Sequence, residues 1–216
     1  MGAPGFGAAS TSLERWWHAT WSDLRLPEPE PDVLHEVLRR YAEPHRAYHT
    51  AQHLEECREF FQRARAGAED PGAVQIALWF HDAIYDTHRS DNEGRSADWA
   101  VRVLAGAGAL SGLQDSVRGL IHATTHNTAP ASRDAALTAD IDLSVLGAVP
   151  TRFDEYERQV RHEYAWVPEF AFRRARARIL RELQARARIY FTDYFHELLE
   201  EPARANLERS IARLGG

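Results

Sequence analysis

The chain has 216 residues, 44% of them hydrophobic, enough to bury a substantial core in one domain. Its formal net charge of −6 gives no electrostatic reason to hold a nucleic-acid duplex or an anionic membrane surface, so an anionic substrate needs a local basic patch. The single cysteine, Cys57, excludes an internal disulfide and a thiolate zinc ribbon, and fits a reducing cytoplasm.

Residues 1–11, rich in Gly and Ala, lack the basic start and apolar core of a signal peptide and read as a flexible tail before a single domain over 12–216. No uninterrupted apolar run approaches the ~20 residues that cross a bilayer. Beyond the tail, apolar residues return every three or four positions, which predicts an all-α fold. Ser12 is the expected cap of a first helix carrying Leu13, Trp16, Trp17 and Trp21, and Pro27, Pro29 and Pro31 separate it from a second over 32–42. A loop with Pro44 leads into a third helix beginning at His49 or Thr50. A fourth, over 72–84, is apolar around most of its circumference and should be central. Ser90-Asp91-Asn92-Glu93 has the spacing of a capping box and opens a fifth helix that ends near Gly106 and Gly108. Further helices are expected over 113–125, 131–146 and 152–167. Pro168 begins the next helical region, and two long amphipathic pieces finish the chain. The Arg173, Arg174, Arg176, Arg178 and Arg181 cluster reads as a solvated helix face.

The chemistry concentrates in two short segments. His49 and His53 stand four apart at the start of the third helix, and the doublet His81-Asp82 lies near the end of the central helix. Asp140 and Asp142 supply a later acidic pair. Two histidines with two aspartates suit a borderline or hard divalent ion without thiolate. If Asp140 and Asp142 share a helix, a two-residue offset turns their side chains about 200° apart, so one ion takes only one of them directly.

These segments read Tyr48-His49-Thr50-Ala51-Gln52-His53, Ala77-Leu78-Trp79-Phe80-His81-Asp82-Ala83-Ile84-Tyr85-Asp86, Asp91-Asn92-Glu93-Gly94-Arg95-Ser96-Ala97 and Ala139-Asp140-Ile141-Asp142-Leu143-Ser144. In that order they resemble the HD-domain superfamily of metal-dependent phosphohydrolases over most of the chain after the tail. The resemblance implies an all-α helical bundle of the HD-domain type with additional N- and C-terminal helices. It also implies one or two divalent ions per chain, with Mn, Mg, Fe, Co, Ni or Zn as candidates. His53, His81 and Asp82 are the implied ligands, completed by Asp142 or Asp140, and Asp142 is favoured because Leu143-Ser144 follows it. His49 is similar to the histidine that protonates the leaving oxygen in cyclic-nucleotide phosphodiesterases of the superfamily. Thr50 departs from the Asn found there, and orienting a carboxylate is the alternative role for His49.

His122 and His126 form a further i, i+4 pair, from which the resemblance offers a second ion or a phosphate contact. Asp86 stands ready either to orient a ligand histidine or to end its helix, and Glu93 either to line the pocket or to serve the capping box. Arg46 and Arg161 are candidates for attracting phosphate. The implied activity is hydrolysis of a small phosphate ester or nucleotide, metal-activated water attacking phosphorus. A di-iron oxygenase and a non-catalytic metal- or nucleotide-binding regulatory module are the alternatives.

Overall fold

A single apolar helix organises the molecule. In the computed structural model, whose described residues are 9–215, helix α4 (Pro71–Phe80) has every residue from Gly72 to Phe80 buried. Asp70 caps it by accepting from Ala73 N–H at 2.9 Å, and Pro71 occupies its first turn, where a missing N–H costs nothing. The described residues contain ten α-helices, two short 3-10 segments and no strand. None of these helices is long and apolar enough to cross a membrane.

Helix α1 (Ala9–Leu24) lies along α4 through its tryptophans. Trp16 stacks on Trp79 with ring centroids 4.6 Å apart, while Trp17 meets the same ring edge-on at 5.2 Å. The polar tips of these rings are satisfied: Trp16 Nε1 donates to Gln75 Oε1 at 2.8 Å and Trp79 Nε1 to Thr20 Oγ1 at 3.2 Å. After α2 (Pro31–Arg40), Tyr41 donates its hydroxyl to the Trp79 carbonyl at 3.2 Å. Helix α3 (Ala51–Ala64) buries His53, Leu54, Cys57, Phe61 and Ala64, one helical face, toward α4.

Helices α5 (Asn92–Gly106), α6 (Ser111–Ala123) and α7 (Arg133–Asp142) also pack around α4. The start of α7 is stapled to the turn before α4, where Asp134 accepts from Glu69 N–H at 2.7 Å and Asp70 N–H at 2.8 Å. A 3-10 segment, Leu143–Gly147, follows α7 directly, and α8 (Pro150–Glu163), α9 (Glu169–Gln184) and α10 (Asp193–Gly215) complete the bundle.

Several boundaries differ from expectation. Ala9, Ser10 and Thr11 belong to α1, so Ser12 is inside the helix rather than its cap, and its hydroxyl donates to Glu55. The remainder of the expected tail lies outside the described residues. Helix α4 stops at Phe80, which leaves His81-Asp82 on the turn just beyond it. The capping box at Ser90 does not form: Asp91 holds the cap position without a capping bond, its carboxylate accepting from Arg89 instead, and Asn92 pairs with the Asp86 backbone, accepting at 3.2 Å and donating at 2.9 Å. The expected helix over 131–146 divides at Asp142, and the one over 152–167 ends at Glu163.

Helix α10 closes over the 3-10 segment. Asn206 Nδ2 donates to the Leu146 and Ala148 carbonyls, each at 2.8 Å, so the intervening Gly147 sits hard against the helix. A Cβ on Gly147 falls 2.6 Å from Leu199 Cβ and 2.9 Å from its carbonyl oxygen, neither of which can rotate aside. Gly147→Ala should therefore lower unfolding free energy by about 1–3 kcal/mol. Chemical denaturation measures this, and an unchanged midpoint and slope would contradict the packing described.

Candidate metal centre

Three helix ends meet beside the core: the start of α3, the turn after α4 and the last residue of α7. They bring together His53, His81, Asp82 and Asp142, whose ligand atoms all lie within 4.8 Å of one another. His53 Nε2 is 3.1 Å from His81 Nε2 and 3.3 Å from Asp142 Oδ1. His81 Nε2 is 3.0 Å from Asp82 Oδ2 and 3.5 Å from Asp142 Oδ1. Two ligand atoms each about 2.0–2.1 Å from one tetrahedral ion stand about 3.3–3.4 Å apart, so these separations are those of donors around a common ion.

The two histidines form the closed back of the cluster, their side chains 2% and 1% exposed, whereas Asp82 and Asp142, at 15% and 16%, form its open edge. Ring orientation is set for His81, because Nδ1 donates to the Leu78 carbonyl at 2.8 Å and so turns Nε2 into the cluster; burial opposes a charge on the ring, but the Asp82 charge and the hydrogen bonds to Asp142 and Asp82 carry its pKa well above the ordinary value. Burial opposes ionisation of both aspartates. Even so, the His81 and His49 rings hold the Asp82 carboxyl below the ordinary range, and hydrogen bonds from His126, His53 and His81 hold Asp142 well below it.

Asp142 has two faces. Oδ1 meets His53 and His81, while Oδ2 accepts from His126 Nε2 at 2.8 Å. His126 has a positive φ of 55°, strained for a non-glycine residue, and its carbonyl accepts from Arg186 at 2.7 Å. His122 does not join it: α6 ends at Ala123, and the exposed His122 ring lines a separate groove with Asp115 and Ala135. The left-handed turn at His126 breaks the four-residue spacing that would have put both rings on one face. Asp140 also lies apart from the cluster. Its carboxylate accepts from Phe191 N–H at 2.8 Å, Thr192 N–H at 2.7 Å and the Thr192 hydroxyl at 2.6 Å, tying α7 to the start of α10.

His49 precedes the Thr50 cap of α3, so it reaches the site from a turn instead of sharing a helical face with His53. Its position depends on Glu163, the last residue of α8. Glu163 Oε1 accepts from the Ala47, Tyr48 and His49 N–H groups at 2.7, 2.8 and 3.0 Å. Oε2 accepts from His49 Nδ1 at 2.7 Å and from the Tyr85 hydroxyl at 2.8 Å, and Tyr85 stacks on the His49 ring at 4.1 Å. Burial opposes a raised His49 pKa, but the Asp82 charge and the Glu163 hydrogen bond carry it above the ordinary value. Glu163 had a signal in the sequence, since it continues the apolar stripe Phe153, Tyr156, Val160 of α8, where an acid is out of place.

Arg46 does not face the cavity. Nη1 donates to the His49 and Asp82 carbonyls at 3.2 and 2.6 Å, Nη2 to Ala83 at 3.2 Å and Nε to Glu43 at 3.1 Å, so it clamps the two loops that carry the site. Arg161 similarly holds the Tyr164 and Val167 carbonyls and Glu169. Asp86 is half-buried and caps the turn by accepting from His88 N–H at 2.9 Å, without touching a cluster histidine. Glu93, part-buried, does line the cavity.

The cavity, about 380 Å³, opens onto Asp82 and Asp142 and is also lined by Tyr48, His49, Tyr156, Tyr164 and Arg176. Arg176, expected on a solvated face, is buried, with Nε and Nη2 donating to Glu157 at 3.1 and 2.5 Å and Nη2 to the Tyr156 hydroxyl at 2.7 Å. Behind the histidines lies the buried Cys57, whose thiol pKa burial raises well above its ordinary value, with the Asp142 and Asp82 charges adding to the effect. No family model matches the chain, and neither a curated protein nor a solved structure does.

Glu163 generates a pH prediction. Burial opposes its ionisation, but the His49 hydrogen bond and charge and the backbone N–H groups bring its pKa from 4.5 down to about 2. A depressed carboxylate pKa contributes stability that is fully present above the unfolded value and lost as pH falls through the folded one. The stability advantage of the wild-type chain over Glu163→Gln should hold at neutral pH and shrink between 4.5 and about 2. Urea melts across that range measure it, and a difference independent of pH would contradict the assignment.

Proposed function

We propose that this chain is a metal-dependent phosphohydrolase of the HD-domain type, acting on a small phosphate ester or nucleotide. The convergence of His53, His81, Asp82 and Asp142 at the spacing of ligands to one ion carries this reading. Asp142 supplies the fourth ligand and Asp140 a structural tie, in keeping with their opposite directions on α7. Two imidazoles with two carboxylates suit borderline divalent ions such as Mn, Fe, Co, Ni or Zn, with Mg the harder alternative. When bound, such an ion supplies an acidified water and offsets charge on a phosphoryl oxygen.

The chain's own groups serve the rest of the reaction. His53 and His81 close the back of the centre, and the aspartates leave the cavity side accessible to substrate and water. His49, its Nδ1 held by Glu163, presents Nε2 as the proton donor to the leaving alkoxide, and the buried carboxylate stabilises the charged ring before transfer. His126 holds the far oxygen of Asp142 and so fixes the carboxylate's orientation. Arg176 and the tyrosines form the wall that receives the alcohol portion of the ester.

Protein reconstituted with Mn or Co should hydrolyse members of a phosphate-ester panel. His81→Ala and Asp142→Asn should lose bound metal and turnover, whereas Asp140→Asn should keep its metal. His49→Ala should keep its metal and lose about 10²–10⁴-fold in kcat. Metal content by elemental analysis and single-substrate kinetics read these outcomes. Metal bound with no turnover across the panel would overturn the hydrolase and favour a regulatory module.

A further inference from the structure

Arg176 is a buried cation on the cavity wall with part of its fork unspent. Its side chain is 10% exposed, Nε and Nη2 serve Glu157, and Nη2 also donates to the Tyr156 hydroxyl. That leaves Nη1 without a partner among the described residues, on a side chain that lines the cavity. The Tyr156 hydroxyl accepts its bond from Arg176 and donates none, so its proton is unspent as well. On the same wall Tyr48, 5% exposed, has a buried hydroxyl with no partner at all. Phenols stay protonated at neutral pH, with a reference pKa of about 10, so this wall carries more donors than its own acceptors satisfy. Buried donors are ordinarily paired, and a deficit of acceptors on a cavity wall points to a ligand that brings them.

The rings place these donors relative to the metal centre. Tyr48 lies 4.7 Å from the His53 ring, Tyr156 lies 4.6 Å from Tyr48, and the Arg176 guanidinium lies 5.1 Å from the Tyr156 ring. They line one side of the cavity from the centre outward, along the space open to the alcohol portion of an ester held there.

Charge decides what they receive. Glu157 already balances Arg176, and Arg89, also on the cavity, is spent on Asp91. Glu93 lines the same cavity and makes no ion pair among the described residues. A second anion on the substrate would face Glu93 and add a charge that neither arginine is free to balance. A neutral hydroxyl avoids both costs, because it accepts from Arg176 or Tyr156 and can donate to Glu93. The cavity, about 380 Å³, stands near the lower end of the about 300–1,000 Å³ usual for ligand pockets, so the alcohol is small.

We propose that the substrate is the phosphate monoester of a small, neutral polyhydroxy alcohol, whose hydroxyl oxygens accept from Arg176 Nη1 and the Tyr156 hydroxyl. This names the substrate class of the hydrolase proposed above and rests on that reading. Water gives its oxygen to phosphorus and one proton to solvent, the ester phosphorus–oxygen bond breaks, and the leaving alkoxide takes the His49 proton. The products are the free polyol and inorganic phosphate.

Steady-state kinetics of the manganese-loaded full chain on matched esters test this. Glycerol phosphate or a hexose monophosphate should exceed butyl phosphate and carboxyethyl phosphate by at least about tenfold in kcat/KM, since a site built to bond a hydroxyl rejects the analogue that lacks it. The better of the two distinguishes an open-chain polyol from a sugar ring. Tyr156→Phe, which removes one hydroxyl, and Arg176→Lys, which keeps the charge opposite Glu157, should each shrink that preference at least about tenfold, chiefly by raising KM for the polyol ester. The wild-type comparison decides even where a variant folds poorly. Butyl or carboxyethyl phosphate turned over as well as the polyol esters would overturn this inference and leave the hydrolase standing. A polyol preference untouched in both folded variants would likewise overturn it. Manganese bound with no ester cleaved would overturn the hydrolase reading itself.

Discussion

Two carboxylates and two imidazoles share a mostly buried space at the end of the buried helix α4, and much of the surrounding structure serves that electrostatic arrangement. Asp82 and Asp142 face His53 and His81 at 3.0–3.6 Å. Carboxylates taken out of water are costly unless paired, and each aspartate is held ionised by the rings around it. A cation suits this constraint, because it lets two negative charges and two lone pairs point at one another. The tryptophan contacts between α1 and α4 fix the helix end, and Arg46 spends its donors on the loops that bring His49 and Asp82 together.

Polar ties of long sequence range do the remaining positioning. Glu163 gathers three successive backbone N–H groups and the His49 ring from more than a hundred residues away. Asp134 holds one end of α7 and Asp140 the other. With α7 fixed at both ends, its last residue delivers Asp142 to the centre. These carboxylates satisfy backbone donors whose burial without partners would cost about 1–3 kcal/mol each. They therefore govern the accuracy of the site as well as its stability.

The helical class and the central helix were legible because hydrophobic period and length are local signals. The grouping of His53, His81, Asp82 and Asp142 followed what the resemblance implied, and the opposed directions of Asp140 and Asp142 followed from helix geometry. What the sequence hid was tertiary. Arg46, Arg176 and Glu163 are charged residues whose partners lie in distant segments or on carbonyls, so local composition marked the arginines as phosphate attractors or solvated surface. The His122–His126 pair failed because the helix stopped between them and His126 turned left-handed. The capping box failed because Asn92 found the Asp86 backbone instead.

Anomalous diffraction from crystals of protein purified without chelator tests the central claim most directly. The account predicts a metal peak within about 2.0–2.2 Å of His53 Nε2, His81 Nε2 and carboxylate oxygens of Asp82 and Asp142, with Asp140 still bound to Phe191 and Thr192 N–H. A peak elsewhere, or a metal-free cluster in crystals soaked with manganese, would contradict it.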